Sequence, residues 1–166
     1  MADIQTALAA CGEATEGLAA AGERAGSNWT VSPAPGKWSP RQIVEHVARA
    51  LEQSAKVAAG QPSAFPKVPA VLHPVIRGLF FTRVLKNSRF PKARTNKAMN
   101  PASGPATPSA GRARLGEAQR TFAEACRQLA ARGGGMRTTT FGTVRVEDYI
   151  RFMELHTRHH EKQIRL

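Results

Sequence analysis

Acidic residues are missing from a long internal stretch of this 166-residue chain: none lies between Gln53 and Gly116. The same stretch carries eleven basic side chains: Lys56, Lys67, Arg77, Arg83, Lys86, Arg89, Lys92, Arg94, Lys97, Arg112 and Arg114. The formal net charge of +12 is therefore a property of one segment, because elsewhere 13 basic residues are balanced by 12 acidic ones. Cysteine is equally scarce. Cys11 and Cys126 stand alone, which excludes a disulfide framework or a Cys-x-x-Cys redox or zinc site. Both fall in amphipathic stretches and read as small buried hydrophobes. No apolar run approaches the roughly 18 residues a transmembrane helix needs. The stretch Met1 to Gln5 lacks a basic start followed by an apolar run, so no signal peptide is expected and the expected compartment is the cytoplasm. There is no internal repeat and no alternating strand pattern.

What is present is helical. A hydrophobic fraction of 42% in 166 residues is that of one globular domain, taken here as residues 1–166. Ile4, Leu8, Cys11 and Leu18 recur at helical spacing between Asp3 and about Ala25. A second helix has a clear start, with Ser39 as N-cap, Pro40 in the first turn and Gln42 where a capping box wants Glu or Gln. Its apolar face is Ile43, Val47, Ala50, Leu51 and Val57, and Gly60 ends it. A proline-punctuated connector from Gln61 to Pro74 leads to a short basic helix over Val75–Asn87. Arg89–Gly111 then reads as a second long loop. Residues 61–110 are thus a basic, loop-rich insert. Leu115, Phe122, Cys126 and Leu129 mark a helix over Gly111–Arg132, stopped by three glycines. Met136–Val144 is a short Thr-rich connector, with an extended conformation as one reading, and the last helix runs from near Val146, with Glu147 and Asp148 in its first turn, almost to Leu166. The expected fold class is all-α. Four amphipathic faces are most simply buried in an antiparallel four-helix bundle, here with an extra short basic helix and long proline-rich loops.

The chemistry-bearing residues are five histidines: His46, His73, His156, His159 and His160. Tyr149, Met153, His156, His160 and Ile164 share one face of the last helix, so two imidazoles occupy an interior stripe one turn apart. A His-x-x-x-His pair can hold one divalent ion, as in zinc proteases. The Glu that those enzymes need directly after the first His is absent, and Thr157 stands there, which removes the protease reading. His46, beside the apolar stripe of the second helix, is the candidate third ligand. Three neutral imidazoles would leave a coordination position open for water or substrate. His159, three residues after His156, could replace either neighbour. His73 precedes Pro74 and reads as a surface loop residue. No residue stands out as a general base, and Glu45 and Glu161 are candidates only through adjacency to histidines.

Two segments together resemble the DinB-like family. Trp38-Ser39-Pro40-Arg41-Gln42-Ile43-Val44-Glu45-His46-Val47 is similar to that family's W-S-x-x-[EQ]-[IV]-[VL]-x-H-[LV] pattern. Phe141-Gly142-Thr143, Tyr149 and the run His156-Thr157-Arg158-His159-His160-Glu161-Lys162-Gln163-Ile164 resemble its last helix. Residues 61–110 match nothing specific, and the nearest resemblance is to a subgroup of unknown function. The resemblance implies a helical bundle, often dimeric, with a divalent metal, zinc or nickel, held by His46, His156 and His160. It also implies a metal-dependent hydrolase, or an S-transferase that uses a low-molecular-weight thiol. Trp38 is expected only to pack the start of its helix.

In this reading the basic segment recruits a small anionic substrate, such as an acidic thiol. The rival reading is a non-catalytic binding module. There the 74–97 segment, with Phe80, Phe81 and Phe90 beside its basic residues, would lie on an anionic membrane surface or grip nucleic acid. A third is a dimeric scaffold that keeps the fold and metal without catalysis. No helix-turn-helix, zinc-finger or RNA-binding signature supports the nucleic-acid version.

Overall fold

The computed structural model describes residues 3–91 and 95–164. Lys92 and Arg94, two of the eleven basic residues of the middle segment, lie outside the described residues, as do the last two positions of the chain.

Chain order is α1 (Ile4–Arg24), α2 (Pro40–Ala58), the short α3 (His73–Ile76) and α4 (Arg83–Asn87), α5 (Pro108–Ala131), a hairpin of β1 (Met136–Thr138) and β2 (Gly142–Val144), and α6 (Val146–Glu161). α3 and α4 are two halves of one helical segment joined by a π turn, Arg77–Thr82. The fold is all-α apart from the hairpin. α2 packs along α5 and α1 along α6, and α1 also meets α5. Every apolar position assigned to α2 from its periodicity is buried: Ile43, Val47, Ala50, Leu51 and Val57. So are Leu8, Cys11 and Leu18 of α1 and Leu115, Phe122 and Cys126 of α5.

α2 starts where the capping signal predicts. Gln42 Oε1 accepts from the Ser39 N–H at 3.0 Å and from its hydroxyl at 3.1 Å, and the Gln42 amide donates to the Pro101 carbonyl at 3.1 Å. That last bond ties the start of α2 to the loop before α5. α5 begins three residues earlier than its apolar pattern suggested. Thr107 caps it through the Ala110 N–H at 3.1 Å, and Pro108 supplies the preset φ of the first turn.

Three expectations need correction. The Thr-rich connector is an antiparallel hairpin, with Met136 opposite Val144 and Thr138 opposite Gly142. Strands of three residues are too short to show an alternation that stands out from chance. His73 is not a surface loop residue. It opens α3, is half-buried, and its Nε2–H is shared between the carbonyls of Val68 (2.9 Å) and Thr139 (3.2 Å). It thereby pins the connector to the hairpin. Finally, Phe80, Phe81 and Phe90 are not presented to solvent. Phe81 is buried, Phe80 and Phe90 pack against the core, and all three meet Phe152 of α6, Phe81 stacked and the other two tilted. The π turn, wider than an α turn by one residue, lets the adjacent Phe80 and Phe81 both face inward.

Candidate metal centre

α2 and α6 bring three imidazoles to one point. His46 is buried on α2, and its Nδ1–H donates to the Met99 carbonyl at 2.8 Å. His160 is buried on the last turn of α6, and its Nδ1–H donates to Gln163 Oε1 at 2.9 Å. The Gln163 amide is oriented by its other end, where Nε2 donates to His159 Nε2 at 3.1 Å. His156 lies between the two anchored rings. Its Nε2 is 3.3 Å from His46 Nε2 and 3.2 Å from His160 Nε2. One nitrogen from each ring lies within 4.8 Å of the other two.

A count of protons shows what this arrangement suits. Carbonyl oxygens only accept, so His46 and His160 carry their protons on Nδ1 and turn bare Nε2 lone pairs toward His156. His156 can donate one proton to one of them at most. If it does so from Nε2, its Nδ1 becomes a bare acceptor, and that atom is shut off from solvent with no hydrogen-bond partner among the described residues. Lone pairs converging in a buried place repel one another unless a cation sits among them. Anchoring of the distal Nδ1–H groups is also how metal-ligating histidines are oriented. The residues therefore fit a divalent ion with imidazole ligands.

The electrostatics agree with the geometry. Burial pushes the His46 imidazolium pKa below the ordinary histidine value. Burial drives His156 far lower still, helped by the neighbouring His160, His46 and His159. Burial pushes His160 down to about 3. All three rings are neutral at neutral pH, the state a ligand must be in.

Two aromatic rings border the cluster. The Trp38 ring lies 4.8 Å from His46 and 6.1 Å from His160, and its indole N–H donates to Asn100 Oδ1 at 3.2 Å. Phe90 lies 5.5 Å from His156 and 5.6 Å from His159. Trp38 thus does more than pack a helix start. Neither Trp38 nor Phe90 was singled out for the site from sequence, nor was the Met99 carbonyl or the role of Gln163. A backbone oxygen has no sequence signature. Gln163 did have one: it follows His160 by three residues, one helical turn away.

His159 stays beside the cluster, half-buried, its ring 5.2 Å from that of His160. Neither adjacent carboxylate serves the site. Glu45 is bound to Arg49 at 2.8 Å and to Arg114 at 3.3 Å, and the Glu161 carboxylate packs on Gly17 of α1. His73 is engaged with the hairpin instead. Among the described residues this is the one group of three or more His, Cys, Asp or Glu able to hold an ion together.

The model of the DinB superfamily matches residues 8–164. The chain belongs to the DinB superfamily. No curated protein and no solved structure matches it. The span shared with the superfamily contains all three histidines and also the whole basic segment between α2 and α5. Within this DinB chain that segment contributes to the centre directly, since Met99 and Phe90 both come from it.

Proposed function

We propose that this DinB-superfamily protein is a divalent-metal-dependent enzyme, a hydrolase or a transferase of a low-molecular-weight thiol, with zinc or nickel held by His46, His156 and His160. The reading also takes α1, α2, α5 and α6 as an antiparallel four-helix bundle that works as a homodimer. The observation that carries it is the convergence of three Nε2 atoms, two of them on rings whose distal protons are already committed to Met99 and Gln163.

All the ligand groups are neutral. Among the described residues no carboxylate or thiolate joins the cluster to offset the ion's charge. A bound ion supplies Lewis acidity there, lowering the pKa of a water or thiol that reaches it toward neutrality. The chain's own residues hold and orient. Met99 and Gln163 fix the ring tautomers, and Trp38 and Phe90 give the substrate aromatic walls. The substrate class proposed is small and anionic, supported by the excess of basic residues between positions 53 and 116.

The test uses protein purified without a polyhistidine tag and analysed by elemental mass spectrometry after incubation with zinc or nickel. One ion per chain is expected, falling to a small fraction in His46→Gln, His156→Gln and His160→Gln. Wild-type protein that takes up neither metal overturns the proposal. Loaded protein assayed against esters and amides, and against electrophiles with added thiols, then separates hydrolysis from transfer.

A further inference from the structure

Of the five large apolar side chains exposed among the described residues, all but Val31 gather on one short segment. Val71 is 80% exposed, Leu79 69%, Val75 54% and Leu72 45%. Val71, Val75 and Leu79 recur every four residues from the 3-10 turn Ala70–Leu72 through α3 and the π turn, and Arg83, then Lys86, continue the same exposed side into α4. The opposite side is anchored, with Phe81 and Val84 buried and Ile76 and Phe80 packed on the core. The outward face therefore presents aliphatic groups at one end and cations at the other.

Among the described residues no carboxylate pairs with Arg83, Lys86 or Arg89. The hairpin beside the segment, reached through Arg77 and the Thr143 carbonyl at 3.2 Å, has Arg137 and no acidic residue. A second copy docked through this same face would bring no carboxylate to Arg83, Lys86 and Arg89, since the segment carries none. Nucleic acid would satisfy the cations but leave the aliphatic stripe in water, since the segment's aromatic rings face inward. A bilayer with anionic headgroups satisfies both halves: acyl boundary for the aliphatics, phosphate or carboxylate for the cations.

We propose that the Val71–Arg89 segment is a peripheral docking surface for anionic lipid bilayers. The experiment is co-sedimentation of the full chain with vesicles of phosphatidylserine and phosphatidylcholine, against phosphatidylcholine alone. Binding to the mixed vesicles is expected, weakening steeply with salt. Arg83→Gln and Lys86→Gln should each lower partitioning about fivefold. The double variant Val75→Asp, Leu79→Asp should lower it more than tenfold at unchanged helix content, because both sites are exposed. No binding at low salt overturns the proposal, whether or not DNA or RNA binds. So does vesicle binding that the aspartate variant leaves intact, which is adsorption by charge alone. A dimer abolished by the aspartate variant, with no vesicle binding, assigns the face to a second copy instead.

Discussion

Gln163 is an exposed amide at the end of a helix, yet it sets the protonation pattern of two histidines. Its carbonyl oxygen takes the His160 Nδ1–H and its NH2 group donates to His159. Removing it leaves His160 free to change tautomer. Gln163→Ala is expected to weaken zinc binding by about 10–100-fold, read by competition with a chelating dye, with helix content unchanged. Gln163→Glu, which keeps an acceptor in place, should retain most of the affinity. The histidines also fix the sign of acid sensitivity. His160 has a folded pKa of about 3, against about 6.5 for an unfolded chain. Between these values the unfolded state binds a proton that the folded state refuses. His46 and His156 are shifted in the same direction. Stability of metal-free protein should therefore be level just above pH 6.5 and fall as pH drops from about 6.5 toward 3. Urea midpoints that rise on acidification through this window would contradict the assignment.

One element without a helical period carries much of the site's construction. The strap that begins with the 3-10 turn Lys97–Met99 crosses the start of α2 and is tied there repeatedly. Met99 accepts from His46, Asn100 from Trp38, Pro101 from Gln42, and the Pro105 carbonyl from the Trp29 indole at 2.9 Å. At Gly104 the strap comes so close that a Cβ would lie 2.2 Å from the Arg41 carbonyl oxygen. That is a clash with backbone, which no rotamer change relieves. Gly104→Ala should cost about 1–3 kcal/mol or more of stability and weaken metal binding, because it lifts the strap that bears Met99. Gly116→Ala makes a contrasting case inside α5. Its Cβ would meet nothing within 4 Å, and the change should stabilise by about 0.5–1 kcal/mol. Chemical denaturation of the two variants measures both. The long helices were legible because each repeats an apolar face over several turns. The strap has no period, and its role rests on carbonyl oxygens and one close approach.

Over the whole molecule, tertiary pairing redistributes the charge that dominates the composition. Arg112 binds Glu23 at 2.7 and 2.9 Å and also Glu16, while Arg114 binds Glu52 at 2.8 Å and Glu45 at 3.3 Å. Two of the eleven basic residues thus serve to join α5 to α1 and α2. The seven other described basic residues of that stretch, Lys56, Lys67, Arg77, Arg83, Lys86, Arg89 and Lys97, form no ion pair with a described carboxylate. The core, by contrast, matches the reading of its cysteines. Cys11 and Cys126 are fully buried, and burial pushes both thiols up to about 12. Native protein should leave a disulfide reagent unconsumed at neutral pH and release two thiol equivalents only in denaturant. A thiol titrating rapidly under native conditions would show that the helices part there. Above about pH 9 the unfolded chain ionises these thiols while the folded one does not, so stability should also decline on the alkaline side.

The sequence by itself determined the helices, the His-x-x-x-His pair, the third histidine and the superfamily, because all of these are written as local periods and short motifs. It could not determine what meets what. A helical face reports that it is apolar, not which face it will cover, and so Phe80, Phe81 and Phe90 read as a binding surface until packing turned them inward. His46 and His156 are 110 positions apart, and only the docking of α2 and α6 puts their nitrogens 3.3 Å from each other. The proton arrangement around them depends on a backbone carbonyl from a third segment, a group that every residue carries and that only tertiary structure can aim.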